Sequence, residues 1–312
     1  NRKTPMTNVL TNVLAFSLPP TIKSAVTDVG NLAVERDFRA TAPKEIADIF
    51  FPVEMVPLES LTGIKDCGFQ AVVRKDTNKI LKVHGSRYTL IKNEDVFGSV
   101  DKILRKTEGL DTDGMRVVDQ TAYAGGRTIR SYVFPAHEIK INDGDITQLR
   151  VNVINSYDGS TNLRICMGGY RIVCANGMIV GDSIGNYTSR HSSGFSSPEI
   201  TNRMASTLNN FFQVGEQWKH WANTPCSNLQ AQAVINKLAG ESDSLRSDLA
   251  DFWLDEKHKL GGSMWALFNA LTFWSTHYEI KGASTDNSAA IVQSREARVG
   301  RIISSDLFRA AA

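Results

Sequence analysis

LRVNVINSYDGSTNLRICMGGYRIVCANGMIVGD, residues 149–182, is the stretch whose reading decides the fold. Leu149, Val151 and Val153 alternate with Arg150, Asn152 and Ile154. A period of two marks a half-buried β-strand. Asp158-Gly159 follows, a pair suited to a tight hairpin turn because Gly accepts positive φ and Asp tolerates it. The chain returns through Leu163, Ile165 and Met167, with Arg164 and Cys166 on the other face. Gly168-Gly169 is expected to bulge the strand or turn it again. Tyr170 to Cys174 resumes the extended pattern before Asn176-Gly177. On this reading each strand carries an arginine on its non-core face: Arg150, Arg164 and Arg171.

Upstream, the same alternation predicts strands over 69–74 and 80–84, turning at Asp76-Thr77-Asn78. A second hairpin, 115–122 with 127–134, turns at Gly125-Gly126. Between them, Asn93 is expected to cap a helix over 93–106. Val96, Phe97, Val100, Ile103 and Leu104 form its apolar stripe, and Glu94 and Asp95 suit its N-terminal dipole. Pro43 predicts a short helix to Phe50, and the arm before it packs on its own core or on a neighbouring subunit. Downstream the spacing turns helical. Helices are predicted from Ser197-Pro198-Glu199, over 229–238, 245–259 and 264–278, and over 289–303 before an exposed tail.

The chain has 312 residues, 42% hydrophobic and 22% charged, enough for one large domain or two modest ones. No apolar run reaches the roughly 18 residues needed to span a bilayer. Asn1-Arg2-Lys3 is followed by polar residues, so no secretory leader and a cytoplasmic location are expected. Cys67, Cys166, Cys174 and Cys226 form no C-x-x-C pair, which argues against structural zinc and for free thiols. Net charge is +2, but residues 64–106 carry ten Lys/Arg against five Asp/Glu. That local basic excess points to a polyanion or to a solvated face.

Several stretches fit catalytic patterns in part. Gly181-Asp182-Ser183-Ile184-Gly185 fits a nucleophile elbow, but the following NYTSRHSSG reads as loop, not helix. Asp111-Thr112-Asp113-Gly114 begins like a calcium loop, yet its twelfth position is Ala122, not glutamate. Asp143-Gly144-Asp145 reads as a hairpin turn. The histidines at 84, 137, 191, 220, 258 and 277 lack metal-ligand spacing. No phosphate loop occurs, so ATP-driven chemistry is not expected. A binding protein without cofactor, metal or catalytic residue is therefore expected. The alternatives are an enzyme using Ser183 or a carboxylate–metal cluster of Asp143, Asp145 and Asp182, and a structural or host-interaction protein. The polar set that suggests binding is Arg74, Lys75, Lys82, Arg87, Tyr88, Arg130, Tyr132, Arg150, Arg164, Tyr170 and Arg171. If these share an outward sheet face, charge meets phosphate and rings meet bases, as single-stranded DNA requires.

Four segments carry a family resemblance: Gly85-Ser86-Arg87-Tyr88-Thr89-Leu90-Ile91-Lys92-Asn93-Glu94, Asn155-Ser156-Tyr157-Asp158-Gly159-Ser160, Tyr170-Arg171-Ile172-Val173-Cys174-Ala175-Asn176-Gly177 and Met264-Trp265-Ala266-Leu267-Phe268-Asn269-Ala270. Their order over about residues 65–305 resembles domain-of-unknown-function family 932, borne by phages and plasmids. The resemblance carries over no catalytic residue. More distantly, strands followed by a helix resemble phage single-strand DNA annealing proteins, which implies an ATP-independent annealing protein acting as a homo-oligomer.

The expected fold is α+β: a twisted antiparallel β-sheet with a packed helix, followed by a helical C-terminal half. Residues 1–62 would form an arm and short helix, 63–196 the sheet core with helix 93–106, and 197–312 a helical region packed on it. Single-stranded DNA and further copies of the chain are the expected partners, and no membrane is.

Overall fold

Valine and isoleucine alternating with polar residues over 145–156 form the centre of a large antiparallel sheet. The computed structural model describes residues 49–65, 67–172, 176–179, 187–189, 191, 197–280 and 287–311. The N-terminal arm, most of the predicted 43–50 helix and the Gly181–Gly185 pattern lie outside them.

The larger sheet runs β4 (Arg116–Ala122), β5 (Arg127–Asn142), β6 (Asp145–Ser156), β7 (Leu163–Arg171) and β8 (Asn176–Ile179) in spatial order, with β9 (Tyr187–Ser189) also paired to β7. Before it come β1 (Val53–Pro57), α1 (Leu58–Thr62), β2 (Phe69–Arg74) and β3 (Lys79–Gly85). These three strands form a separate sheet of order β1-β2-β3, so the single sheet expected over 65–185 is two sheets. The helices are α2 (Asn93–Lys106), α3 (Ser197–Asn223), α4 (Asn228–Ala239), α5 (Asp243–Leu260), α6 (Met264–His277), α7 (Ser288–Ile303) and α8 (Asp306–Arg309). Ser227, Ser242 and Ser263 cap α4, α5 and α6, each accepting a backbone N–H three residues on. The tail expected to be exposed instead forms α8, whose Phe308 is buried against Trp221.

Register decides which residues meet the core. One face of the larger sheet presents Tyr132, Phe134, Leu149, Val151, Val153, Leu163, Ile165 and Met167. These share one core with Val96, Phe97, Val100 and Leu104 of α2, Phe211, Val214 and Trp218 of α3, and Trp265 and Phe268 of α6. On the opposite face, α7 spans from β4 to β8 and packs Ala289 against Ile129 and Ile154. Each face of this sheet therefore meets helices.

Two expectations for the opening stretch are corrected. Gly168-Gly169 neither bulges nor turns: β6 and β7 pair without interruption from Thr147↔Arg171 to Ile154↔Arg164. A Cβ on Gly169 would lie 2.5 Å from Thr147 Cγ2 and 2.7 Å from Trp218 Cη2, so glycine lets α3 approach the sheet. The connection after β6 is also wider than a two-residue turn. The Asp158 carboxylate accepts from Ser156 Oγ at 2.8 Å and Ser160 N at 2.9 Å, closing a local loop through its side chain. Asn93 occupies the first helical position with Lys92 as N-cap, and its side chain turns inward.

Candidate nucleic-acid interface

The four family-like segments join in pairs as buried polar clusters. In the first, Asn93 Nδ2 donates to Ile49 O at 2.6 Å and Thr128 Oγ1 at 3.1 Å. Asn155 Nδ2 donates to Asn93 Oδ1 at 2.8 Å and Ile91 O at 2.9 Å, and Asn93 N donates to the Tyr157 hydroxyl at 2.7 Å. Above them the Tyr88 hydroxyl donates to Ser156 O at 3.3 Å, and His84 and Tyr88 stack with centroids 3.7 Å apart. Burial, followed by the Asp158 charge, holds the Tyr88 hydroxyl far above its ordinary pKa. In the second, Arg171 grips Asp145 at 2.5 and 2.9 Å and reaches Glu256 at 3.4 Å, while Trp265 Nε1 donates to Asp145 at 2.8 Å. Both clusters tie the larger sheet to its surroundings through buried hydrogen bonds, while Asn155 Oδ1 has no partner among the described residues.

The predicted binding set does not share an outward face. Arg130, Tyr132 and Arg171 are buried on the core face. Arg130 stands opposite Asp119 in the β4–β5 ladder and holds it at 2.8 and 2.9 Å, and Tyr132 donates to the Asp101 carboxylate. Arg171 is there because an unbroken β7 places it in step with Leu163, Ile165 and Met167. Arg150, Arg164 and Tyr170 do lie on the opposite face, but α7 covers much of it. Arg150 pairs with Glu296 of α7 at 2.7 Å, and Tyr170 lies beneath the Arg116 guanidinium.

Arg74, Lys75, Lys82, Arg87 and Tyr88 belong to the smaller sheet and the turn after it. Arg74 is committed to Asp76 at 2.8 Å and lies 3.9 Å over the Phe51 ring, and Lys75 pairs with Glu54 at 2.9 Å. Lys82 and Arg87 are exposed and make no ion pair with a described residue. Lys79, outside the predicted binding set, is exposed and unpaired among the described residues as well. A bulge opposite Val72/Val73 leaves Leu81 extra, so Lys79, paired with Arg74, and Lys82, paired with Val72, come to one face of edge strand β3. Phe69, Ile80 and Val83 are 51%, 49% and 39% exposed, with Ile80 and Val83 on the opposite face of β3. The signal in the sequence was charge: residues 77–93 hold Lys79, Lys82, Arg87 and Lys92 and no carboxylate.

Other chemistry has less support. Among the described residues no group of three His, Cys, Asp or Glu could hold a metal ion. Asp145 is saturated by Arg171 and Trp265, Asp143 is exposed beside Lys140, and Asp182 and Ser183 lie outside the described residues. Cys67, Cys166 and Cys226 are not joined in disulfides. No described helix is long and apolar enough to cross a membrane.

The arrangement defines an α+β protein with two antiparallel sheets and a helical layer packed on both faces of the larger one. The chain belongs to the family described as a domain of unknown function (DUF932), whose model matches residues 80–301 and so takes in all four family-like segments. No curated protein and no solved structure matches it.

Proposed function

We propose that this is a phage- or plasmid-encoded protein that binds single-stranded DNA and promotes ATP-independent annealing as a homo-oligomer. The observation that carries the reading is the unneutralised trio Lys79, Lys82 and Arg87 on and beside edge strand β3. The larger sheet's arginines at 130, 150 and 171 are each paired with carboxylates, whereas this trio has no described counter-ion. A phosphate backbone supplies the missing negative charge. The apolar opposite face of β3 gives a surface for a second copy. DNA contact thus moves from the sheet face expected at first to its smaller neighbour's edge.

Electrophoretic mobility of a labelled single-stranded oligonucleotide across a salt series tests this. Affinity should fall steeply with salt as counterions are released. The triple variant Lys79→Glu, Lys82→Glu, Arg87→Glu should bind more weakly, and its slope of log affinity against log salt should shrink by about 2, the three lost contacts at roughly 0.7 each. No binding at low salt, or a folded triple variant that binds like the parent, overturns the proposal.

A further inference from the structure

The β4–β5 turn holds an aromatic residue in a backbone state that suits glycine. Tyr123 and Ala124 both stand at φ +56°, and Gly125 follows at +95°. Glycine or asparagine usually fills this left-handed region, and a bulky side chain there is an outlier. Burial of the ring does not offset the strain, because Tyr123 is 43% exposed. Its neighbours enforce the conformation instead. Tyr123 N donates to Asn287 Oδ1 at 2.8 Å, and Arg74 Nη1 donates to Ala124 O at 3.0 Å. The Arg127 guanidinium, fixed by Ser160 and Gln293, lies 5.3 Å from the ring centroid. Strain imposed on an exposed side chain by its surroundings points to a use for that side chain.

Position says what that use is. The turn packs beside β3. Arg74, which holds Ala124, is the cross-strand neighbour of Lys79, so the turn adjoins the basic edge. The rings of the predicted binding set are occupied: Tyr132 is buried, Tyr88 is stacked with His84 and His191, and Tyr170 lies beneath Arg116. Exposed Phe69 alternates in step with Ala71 and Val73, on the face away from Lys79 and Lys82. Tyr123 is the one exposed tyrosine among the described residues. A single strand offers its phosphates to cations and its unpaired bases to rings. We infer that Tyr123 is a stacking platform for a base of the bound strand, beside the backbone contacts of Lys79 and Lys82. This rests on the reading of β3 as the DNA-binding edge and adds the contact to bases that a cationic edge lacks.

Binding of a labelled single-stranded oligonucleotide to full-chain variants tests the inference. Tyr123→Gly and Tyr123→Asn remove the ring and accept the left-handed backbone, so both should fold. Each should bind roughly fivefold or more weakly, the low end for loss of one base–aromatic stack. The slope of log affinity against log salt should match the parent's, because no phosphate contact is lost. Ala124→Gly relieves the same turn and keeps the ring, and Tyr123→Phe keeps the stack; both should bind like the parent. An abasic strand of equal length should bind the parent more weakly than the ordinary strand, and Tyr123→Gly should shrink that difference. Ringless variants that bind like the parent, or an equal loss in Ala124→Gly, overturn the stack and leave the DNA reading standing. No binding by the parent at low salt overturns both. Lost self-assembly with unchanged DNA binding in Tyr123→Gly would assign the ring to a protein contact and overturn the inference as well.

Discussion

His191 is buried against the Tyr88 ring, with centroids 5.3 Å apart, and neither of its ring nitrogens has a hydrogen-bond partner among the described residues. Burial, reinforced by nearby His84, depresses its pKa below the ordinary 6.5. The unfolded chain therefore takes up this proton more readily than the folded one as pH falls below about 6.5. Stability contributed by a neutral His191 is whole above that pH and is lost as pH drops towards the folded value. His191→Phe keeps the stacked ring and removes the proton site. Melting temperatures of parent and variant should keep a constant difference above about pH 7, and the variant should gain on the parent as pH falls below 6.5. Parallel curves down to pH 5 would remove His191 as the cause. Pairing at this scale was only partly legible. Alternation identified Leu149, Val151 and Val153 as core, and strict alternation would also have put Arg171 with Leu163. A bulge or turn at Gly168-Gly169 would reverse that side, and the unbroken β6–β7 register keeps it. Asp119 opposite Arg130 depends on β4–β5 register, which no local pattern states.

Gly169 shows how one position governs an element. It keeps β7 straight under Trp218, where a methyl would collide with Thr147 and the indole. Gly169→Ala should cost about 1–3 kcal/mol through overpacking. In urea the midpoint should fall with an unchanged slope, because the surface exposed on unfolding stays the same. Gly98 in α2 supplies the contrast: its Cβ position has nothing within 4 Å. Gly98→Ala should be neutral or stabilise by up to about 1 kcal/mol through helix propensity. Equal losses in the two variants would remove close packing as the reason for Gly169. Strong periodicity made α2, the β2–β3 and β4–β5 hairpins and the C-terminal helices readable. Three features were not. The bulge that leaves Leu81 unpaired depends on the partner strand. The split into two sheets depends on which edges pair. The folding of 306–309 depends on a pocket for Phe308 beside Trp221.

At the scale of the molecule, a net charge of +2 hides how cations are distributed. The larger sheet neutralises Arg130, Arg150 and Arg171 internally, whereas the smaller sheet leaves Lys79 and Lys82 uncompensated by any described residue. Composition located that excess within 64–106, but not on which of its strands it stayed open. The same edge strand exposes Ile80 and Val83 on its other face, close to exposed Phe69 at the start of β2. An unpaired edge with exposed apolar residues is costly in a lone chain and useful between copies. If the copies meet there, light scattering after gel filtration should give a mass well above 34.4 kDa for the parent. Ile80→Glu with Val83→Glu should return the protein to that mass without unfolding it, since both side chains already face solvent. Because Lys79 and Lys82 point the other way, this variant should still bind an oligonucleotide while losing the ability to speed annealing of two complementary strands. A monomeric parent at tens of micromolar would overturn the assembly surface, and an assembled double variant would move it elsewhere on the molecule. Either result would leave the basic edge to be judged by its own salt series.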